Sequence, residues 1–183
     1  IASYGNTLPI TYWALQNALD YAKPKLVVLD VQGVSKSYKL SGNSSDVHTA
    51  FDCYSISKTK IEALDDLMDD PNAVDDDGVA YVDMKWEYLF TLGKYHTRWS
   101  ELTDTDFHPV YNREKGAKSV IAVADVGDYD LIDEDMATEE SGQTGFVYLR
   151  KIIEDCQARG IDVLLVHLPY PANEQQQMDA NAV

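Results

Sequence analysis

The sequence predicts an α/β fold, a three-layer sandwich with a mainly parallel sheet, and three observations lead there. Two continuous aliphatic runs, Lys25 to Val31 and Ile161 to Leu168, have the pattern of strands covered on both faces. Each follows an amphipathic helical pattern, and more helical patterns lie between them, the order that joins parallel strands by helical crossovers. The chain has 183 residues, 45% of them hydrophobic, enough for one core, so residues 1–183 are read as a single domain.

The first helix is predicted around Pro9, a residue suited to an early helical position. Ile10, Trp13, Ala14, Ala18 and Tyr21 then recur at helical spacing until Lys23-Pro24 closes the segment. The first buried strand follows. Ser57 is placed as the cap of a helix whose core positions are Ile61, Leu64 and Met68, whose acids face water, and which Pro71 ends. A largely buried helix is expected from about Val82 to Tyr95, with Trp86, Leu89, Phe90 and Gly93 on one face and Tyr88, Leu92 and Tyr95 widening it. Ser119 to Ala124 alternates weakly, as a short strand would. Phe146, Leu149, Ile153 and Cys156 mark another helix, stopped at Arg159-Gly160 ahead of the second buried strand. Beyond Pro169 and Pro171, Glu174 onward has a helical pattern.

Composition excludes several functions. There are 31 acidic and 15 basic residues, a formal net charge of −16, which argues against a nucleic-acid backbone or an anionic membrane surface as partner. No apolar run approaches the roughly 18 residues of a membrane span. The two cysteines, Cys53 and Cys156, give neither a disulfide framework nor a C-x-x-C motif. The acids are concentrated from Glu62 to Glu87 and from Asp125 to Glu140, read as a helix end with an exposed loop and an irregular surface excursion.

Metal and cofactor motifs are lacking, and none is expected. His48, His96, His108 and His167 form no His-x-x-x-His or Glu-x-x-His pair. Asp75-Asp76-Asp77-Gly78 fails the EF-hand pattern, because the ligand positions set by Gly78 fall on Ala73 and Met84. Asp125, Asp128, Asp130, Asp133 and Asp135 read as a polar loop, with loose calcium binding the competing interpretation. Ser55-Ile56-Ser57-Lys58 and Ser57-Lys58-Thr59-Lys60 satisfy Ser-x-x-Lys, but a helix cap explains Ser57 and the companion motifs are missing. No Gly-x-Ser-x-Gly occurs.

In parallel α/β sheets ligands bind beyond the carboxyl ends of the strands, which points to Asp30, Val31, Gln32 and Gly33, and to His167 through Tyr170. Asp30 is a rim candidate, with capping of the next turn as its structural explanation. His96-Thr97-Arg98-Trp99 is the densest cluster. Arginine can clamp an anion, tryptophan can stack on a sugar and histidine can move a proton, making His96, Arg98 and Trp99 substrate-binding candidates. The same residues would also serve to end a buried helix. His48, between Asp46 and Asp52, reads as an exposed loop histidine.

Several segments carry a resemblance. Ser3-Tyr4-Gly5-Asn6-Thr7, a helix ending in Ala18-Leu19-Asp20-Tyr21, and Lys23-Pro24-Lys25-Leu26-Val27-Val28-Leu29-Asp30 resemble the second and third blocks of bacterial SGNH (GDSL-type) hydrolase-like proteins. The nearer group is that of D-alanyl-lipoteichoic-acid and alginate O-acetylation. Tyr95 through Leu102 with Asp106-Phe107, and Tyr148 through Pro169, are similar to later stretches of uncharacterised members, so most of the chain is covered. The resemblance implies a flavodoxin-like topology, here incomplete, and acyl-transfer chemistry. A serine in a Gly-x-Ser turn attacks an acyl carbon, a histidine in an Asp-x-x-His motif accepts its proton, and amide donors hold the oxyanion. Both catalytic blocks would lie outside this sequence, so no catalytic residue is assigned within it. Gly5 falls at the second-block glycine. Gln32 falls where the third block has asparagine, a departure that alters the donor's reach.

The resemblance thus implies the central part of an esterase or O-acyltransferase acting on acylated cell-envelope carbohydrate or cell-wall polymer, inactive without the missing blocks. It also implies an extracytoplasmic, membrane-anchored parent; the segment itself shows no localisation signal. The competing expectation is a non-catalytic carbohydrate-binding or assembly module using Trp13, Trp86, Trp99 and tyrosines. Unpaired strand edges left by the missing first strand predict either self-association into a homo-oligomer or pairing of Ile1 to Tyr4 with a neighbouring strand.

Overall fold

A computed structural model of the chain describes residues 7–40, 42–91, 100–102 and 143–167. Within them lie α1 (Leu8–Leu19), β1 (Leu26–Asp30), a 3-10 turn (Gln32–Ser35), α2 (Ser44–Phe51), α3 (Lys58–Leu67), α4 (Tyr81–Leu89), α5 (Gln143–Ala158) and β2 (Asp162–Val166). The protein is mixed α/β, with five described helices and a two-stranded parallel sheet against which helices pack. The register runs from Leu26 opposite Asp162 to Asp30 opposite Val166. The ladder extends at both ends, where Asp162 N–H donates to Lys25 O and Val31 N–H to Val166 O, each at 3.0 Å.

Two apolar cores share α1. Ile10 and Ala14 join Val47, Phe51, Leu64, Leu67, Met68, Tyr81 and Tyr88 in a core made mainly from helices, with Leu40 and Tyr54 added from the connections. Leu8, with Tyr12, Leu15 and Leu19 around it, faces a second core of Leu29, Val34, Tyr148, Ile152, Cys156 and Ile161. A helix buried on two sides needs apolar residues around most of its circumference, which is what Leu8 to Leu19 supplies.

The sheet is covered on one face. Leu29 is buried, with Val27 and Val163 packed against its core, but Leu26, Val28 and Leu164 on the other face are at least half exposed. The expectation of strands covered on both faces is therefore corrected for the described residues. Continuous aliphatic runs satisfy a two-sided strand, yet here β1 uses alternate residues and in β2 even Leu165, on the covered face beside Leu29, is 45% exposed.

The helix ends follow their caps. Ser57 caps α3 by accepting from Lys60 N–H at 3.1 Å, as predicted, and Thr7, not foreseen as a cap, serves α1 by accepting from Ile10 N–H. At the end of α5, Gly160 adopts φ 69°, while Ile161 N–H reaches Cys156 O at 2.8 Å and Gly160 N–H reaches Gln157 O at 3.0 Å. That six-to-one and five-to-two pair is a Schellman ending, and the left-handed residue is the predicted glycine.

Several helical faces are rotated from their predicted positions. In α3 the buried stripe is Lys60, Ala63, Leu64 and Leu67, with Met68 at the cap, and Ile61 is exposed. In α4 it is Tyr81, Met84 and Tyr88, leaving Trp86 68% and Phe90 50% exposed rather than buried. In α5, Tyr148, Ile152 and Cys156 are buried and Phe146 is exposed. Tyr21, placed on the apolar face of the first helix, lies past its end and is exposed. Each of these helices carries more than one apolar stripe, and packing selects among them. The helix expected to run unbroken to Tyr95 ends at Leu89, with Phe90 as its C-cap outside helical geometry, and residues 92–95 lie outside the described residues. The strand at Ser119–Ala124, the loop at Asp125–Glu140, the pairing of Ile1–Tyr4 and the helix after Glu174 lie outside them as well.

Candidate functional site at the carboxyl end of the parallel strands

Helix α1 leads into β1 and α5 into β2 through short connections, so each helix runs back along its strand. Both helix N-termini consequently sit at the carboxyl end of the sheet. There β1 ends at Asp30, which is half-buried, and β2 at Val166, followed by the exposed His167. The chain turns immediately after β1, where Val34 N–H donates to Val31 O at 3.0 Å and closes the 3-10 turn.

Two contacts fix this turn. Gly145, in the first turns of α5, donates its N–H to Lys36 O at 3.1 Å. A Cβ on Gly145 would fall 2.0 Å from Val34 O and 3.0 Å from Gly33 O, so only glycine permits this approach of helix and turn. On the other side Thr7, 3% exposed, donates its hydroxyl to Lys39 O at 2.6 Å while capping α1. The segment from Gly33 to Lys39 is thus held near its start by the first turns of α5 and at its end by the cap of α1, two helix beginnings that carry partial positive charge. Such an arrangement favours developing negative charge, as on an acyl oxyanion or a carboxylate.

Of the sequence-predicted site residues, Asp30 and the backbone of Gln32 are at this rim, and His167 adjoins them on the neighbouring strand. Gly5 lies outside the described residues, two positions before the Thr7 cap. His96, Arg98 and Trp99 lie outside them as well, so the rim candidates and the His-Thr-Arg-Trp cluster are not brought together among the described residues.

Sequence reasoning missed two buried polar groupings. The first joins α1, α3 and α5. Asp66 Oδ2 accepts from Trp13 Nε1 at 2.7 Å and from Tyr148 OH at 2.5 Å, and Lys39 Nζ donates to Asp66 O at 2.6 Å. Burial pushes the Asp66 carboxyl up, but the Tyr148 and Trp13 hydrogen bonds and the Lys39 charge outweigh it and hold the carboxyl below its ordinary value. Burial and this same carboxylate raise the Tyr148 phenol. Asp155 forms a neighbouring link from α5 to α1, accepting from Gln16 Nε2 at 2.8 Å and Tyr12 OH at 3.3 Å. Asp66 was placed among acids facing water and is instead engaged between helices; Trp13, expected on the apolar face of the first helix, packs there, while the competing reading of it as a binding surface is not met.

The second grouping lies within the helical core. His48 is not an exposed loop residue but sits on α2, 4% exposed, with Nδ1 2.9 Å from Asp52 Oδ1 and its ring stacked on Tyr88 at 4.0 Å. The missed signal is the Asn43 cap followed by Asp46, Val47, Ala50 and Phe51. Lys60, 1% exposed, donates to Tyr54 O at 3.2 Å, and burial lowers its ammonium below the ordinary lysine value. That geometry settles the Ser-x-x-Lys motif at Ser57: its hydroxyl is a helix cap, and Lys60 Nζ serves a backbone carbonyl.

Asp75 is likewise drawn inward. Its Oδ1 accepts from Asp77 N–H at 3.0 Å and Val79 N–H at 2.8 Å, so the Asp75–Gly78 loop is organised by its own amides. Among the described residues no cluster of His, Cys, Asp or Glu is arranged to hold a metal ion, and no helix is long and apolar enough to cross a membrane. Comparison with protein-family models, curated proteins and solved structures finds no match to this chain.

Proposed function

We propose that this chain is the central part of an SGNH-like esterase or O-acyltransferase acting on acylated cell-envelope carbohydrate. One observation carries the reading: at the carboxyl end of a parallel pair, the turn after β1, which holds Gln32-Gly33, packs against the first turns of α5 through Gly145, and the segment leaving it is tied to the cap of α1 at Lys39 O. This is where an oxyanion-stabilising backbone belongs in such a sheet.

In the proposed reaction a serine supplied N-terminal to Ile1 attacks the acyl carbon of an ester, and a histidine supplied C-terminal to Val183 takes the hydroxyl proton. The ester C–O bond then breaks, the carbohydrate hydroxyl leaves with that proton, and water or a second hydroxyl removes the acyl group from the serine. Gly5 and Gln32 contribute donors to the oxyanion, Asp30 shapes the rim, and His96, Arg98 and Trp99 contact the substrate. The finer architecture belongs to the same proposal: a three-layer, flavodoxin-like domain, completed only in the extended protein, where a further helical layer lies over the Leu26, Val28 and Leu164 face that is exposed in this chain. The parent is extracytoplasmic and membrane-anchored.

A serine-directed fluorophosphonate probe tests the reading on the protein extended at both ends by its own coding sequence. Labelling that disappears when the N-terminal serine is replaced by alanine is the expected result. No labelling, or labelling indifferent to that serine, would overturn it.

A further inference from the structure

The helix α4 carries two apolar stripes, and only one is used by the core. Val82, Trp86 and Phe90, spaced by four, with Val79 just ahead of them, form a ridge on the outer side; Val79 is 43%, Val82 37%, Trp86 68% and Phe90 50% exposed. The Trp86 and Phe90 rings are parallel, 7° apart in tilt and 5.7 Å between centroids, so the ridge has a stacked aromatic end. Leaving two large rings in water on a helix that already buries Tyr81, Met84 and Tyr88 is costly unless the ridge has an occupant.

The surrounding charge says what that occupant is. Asp83 and Glu87, both exposed, lie beside the ridge on the same helix, one helical turn apart. From Glu62 to Glu87 the sequence holds ten acids and one base, Lys85, and Lys85 Nζ is already 3.1 Å from Asp65 Oδ1. A second copy of this chain would bring the same acids and a net charge of −16 against them, which disfavours self-association here. The valines beside the rings offer nothing to sugar hydroxyls, and the polar groups at hand are anions. A ridge of residues spaced by four is also the surface that packs into the groove of another helix.

We infer that the outer face of α4 docks a cationic amphipathic helix of a partner protein, its apolar face on Val82, Trp86 and Phe90 and its lysines or arginines on Asp83 and Glu87. This surface is separate from the strand rim and does not depend on the catalytic reading.

The test uses the full chain and fluorescently labelled synthetic helical peptides of about four turns with a leucine face. One peptide carries lysines on its polar face, a second carries glutamates there, and a third has the lysine peptide's composition in scrambled order. Anisotropy should show binding of the ordered lysine peptide alone. Trp86→Ser with Phe90→Ser should weaken it about tenfold or more, and Asp83→Asn with Glu87→Gln a few-fold, with a flatter salt dependence. All four positions are exposed, and circular dichroism checks that the variants keep the fold. A Val82→Lys variant, which places a cation on the ridge, should also lose binding. Equal binding of ordered and scrambled peptides would reduce the effect to bulk acidity and overturn the proposal. So would binding that survives the ring substitutions, or Trp86 fluorescence that responds to an oligosaccharide such as cellohexaose and not to the lysine peptide.

Discussion

The two cores of this protein differ in how completely they are enclosed. The helical core, around Val47, Phe51, Leu67 and Tyr88, is closed by elements on every side and even takes in His48 and Lys60. The sheet-side core, around Leu29, Tyr148 and Ile152, is closed by α1 and α5 on one face, while the opposite face of the same strands presents Leu26, Val28 and Leu164 to solvent. The enclosed region tolerates buried polar atoms, including the Tyr54 and Tyr88 hydroxyls, which have no hydrogen-bond partner among the described residues. The open region is where backbone, helix ends and strand ends converge. The closed and the open half are held together by α1 and by the Asp66 cluster.

Substitution in each half should expose the division most strongly. Phe51→Ala, at a site with no exposure, is expected to cost about 3–5 kcal/mol in urea unfolding, whereas Val28→Thr on the open face should change stability by about 0.5 kcal/mol or less. Comparable losses from the two would mean that Val28 is covered in the folded protein.

A smaller effect is expected where the halves are joined. Asp66→Asn weakens the hydrogen bonds from Trp13 and Tyr148 and should cost about 1–3 kcal/mol near neutral pH. Because the folded carboxyl lies below its ordinary value of 3.8, its contribution is full above that value and is lost as pH falls through the lower folded value. The stability difference between wild type and Asp66→Asn should therefore shrink in acid, and a pH-independent difference would show that the carboxylate is not the joining group.

The smallest effect concerns Lys60. Its ammonium is buried against one carbonyl and lowered by that burial, so the charged form opposes folding until the pH rises through the folded value. Lys60→Met should leave stability at neutral pH unchanged or slightly raised, and wild type should gain on the variant as the pH becomes alkaline. A marked loss in Lys60→Met would instead make the ammonium a needed donor in the helical core.

These contrasts also show which features were legible in sequence. Strands β1 and β2, the Ser57 cap and the Gly160 ending each depend on local chemistry, an aliphatic run or a residue of special conformation, and local chemistry is visible in a chain. The orientation of a helix is not local when it has two apolar stripes. Ile61 and Trp86 are at least as hydrophobic as Lys60 and Met84, which lie inside, and the choice is made by long-range contacts such as the Tyr88 ring stacked on His48 of α2. Asp66 was unreadable for a related reason: nothing in Asp65-Asp66 distinguishes the carboxylate that meets Trp13 and Tyr148 from the one that faces Lys85. At the rim, Asp30 and Gln32-Gly33 were found from the rule for parallel sheets. The clamp by Gly145 was not, because it joins segments more than a hundred residues apart.

The central claim, that the strand-end rim belongs to an acyl-transfer enzyme whose nucleophile and base flank this segment, is tested most directly by sequencing the source DNA on both sides of it. The account predicts a Gly-x-Ser turn encoded ahead of Ile1 and an Asp-x-x-His motif after Val183. A start codon and a stop codon directly adjoining the segment would contradict it.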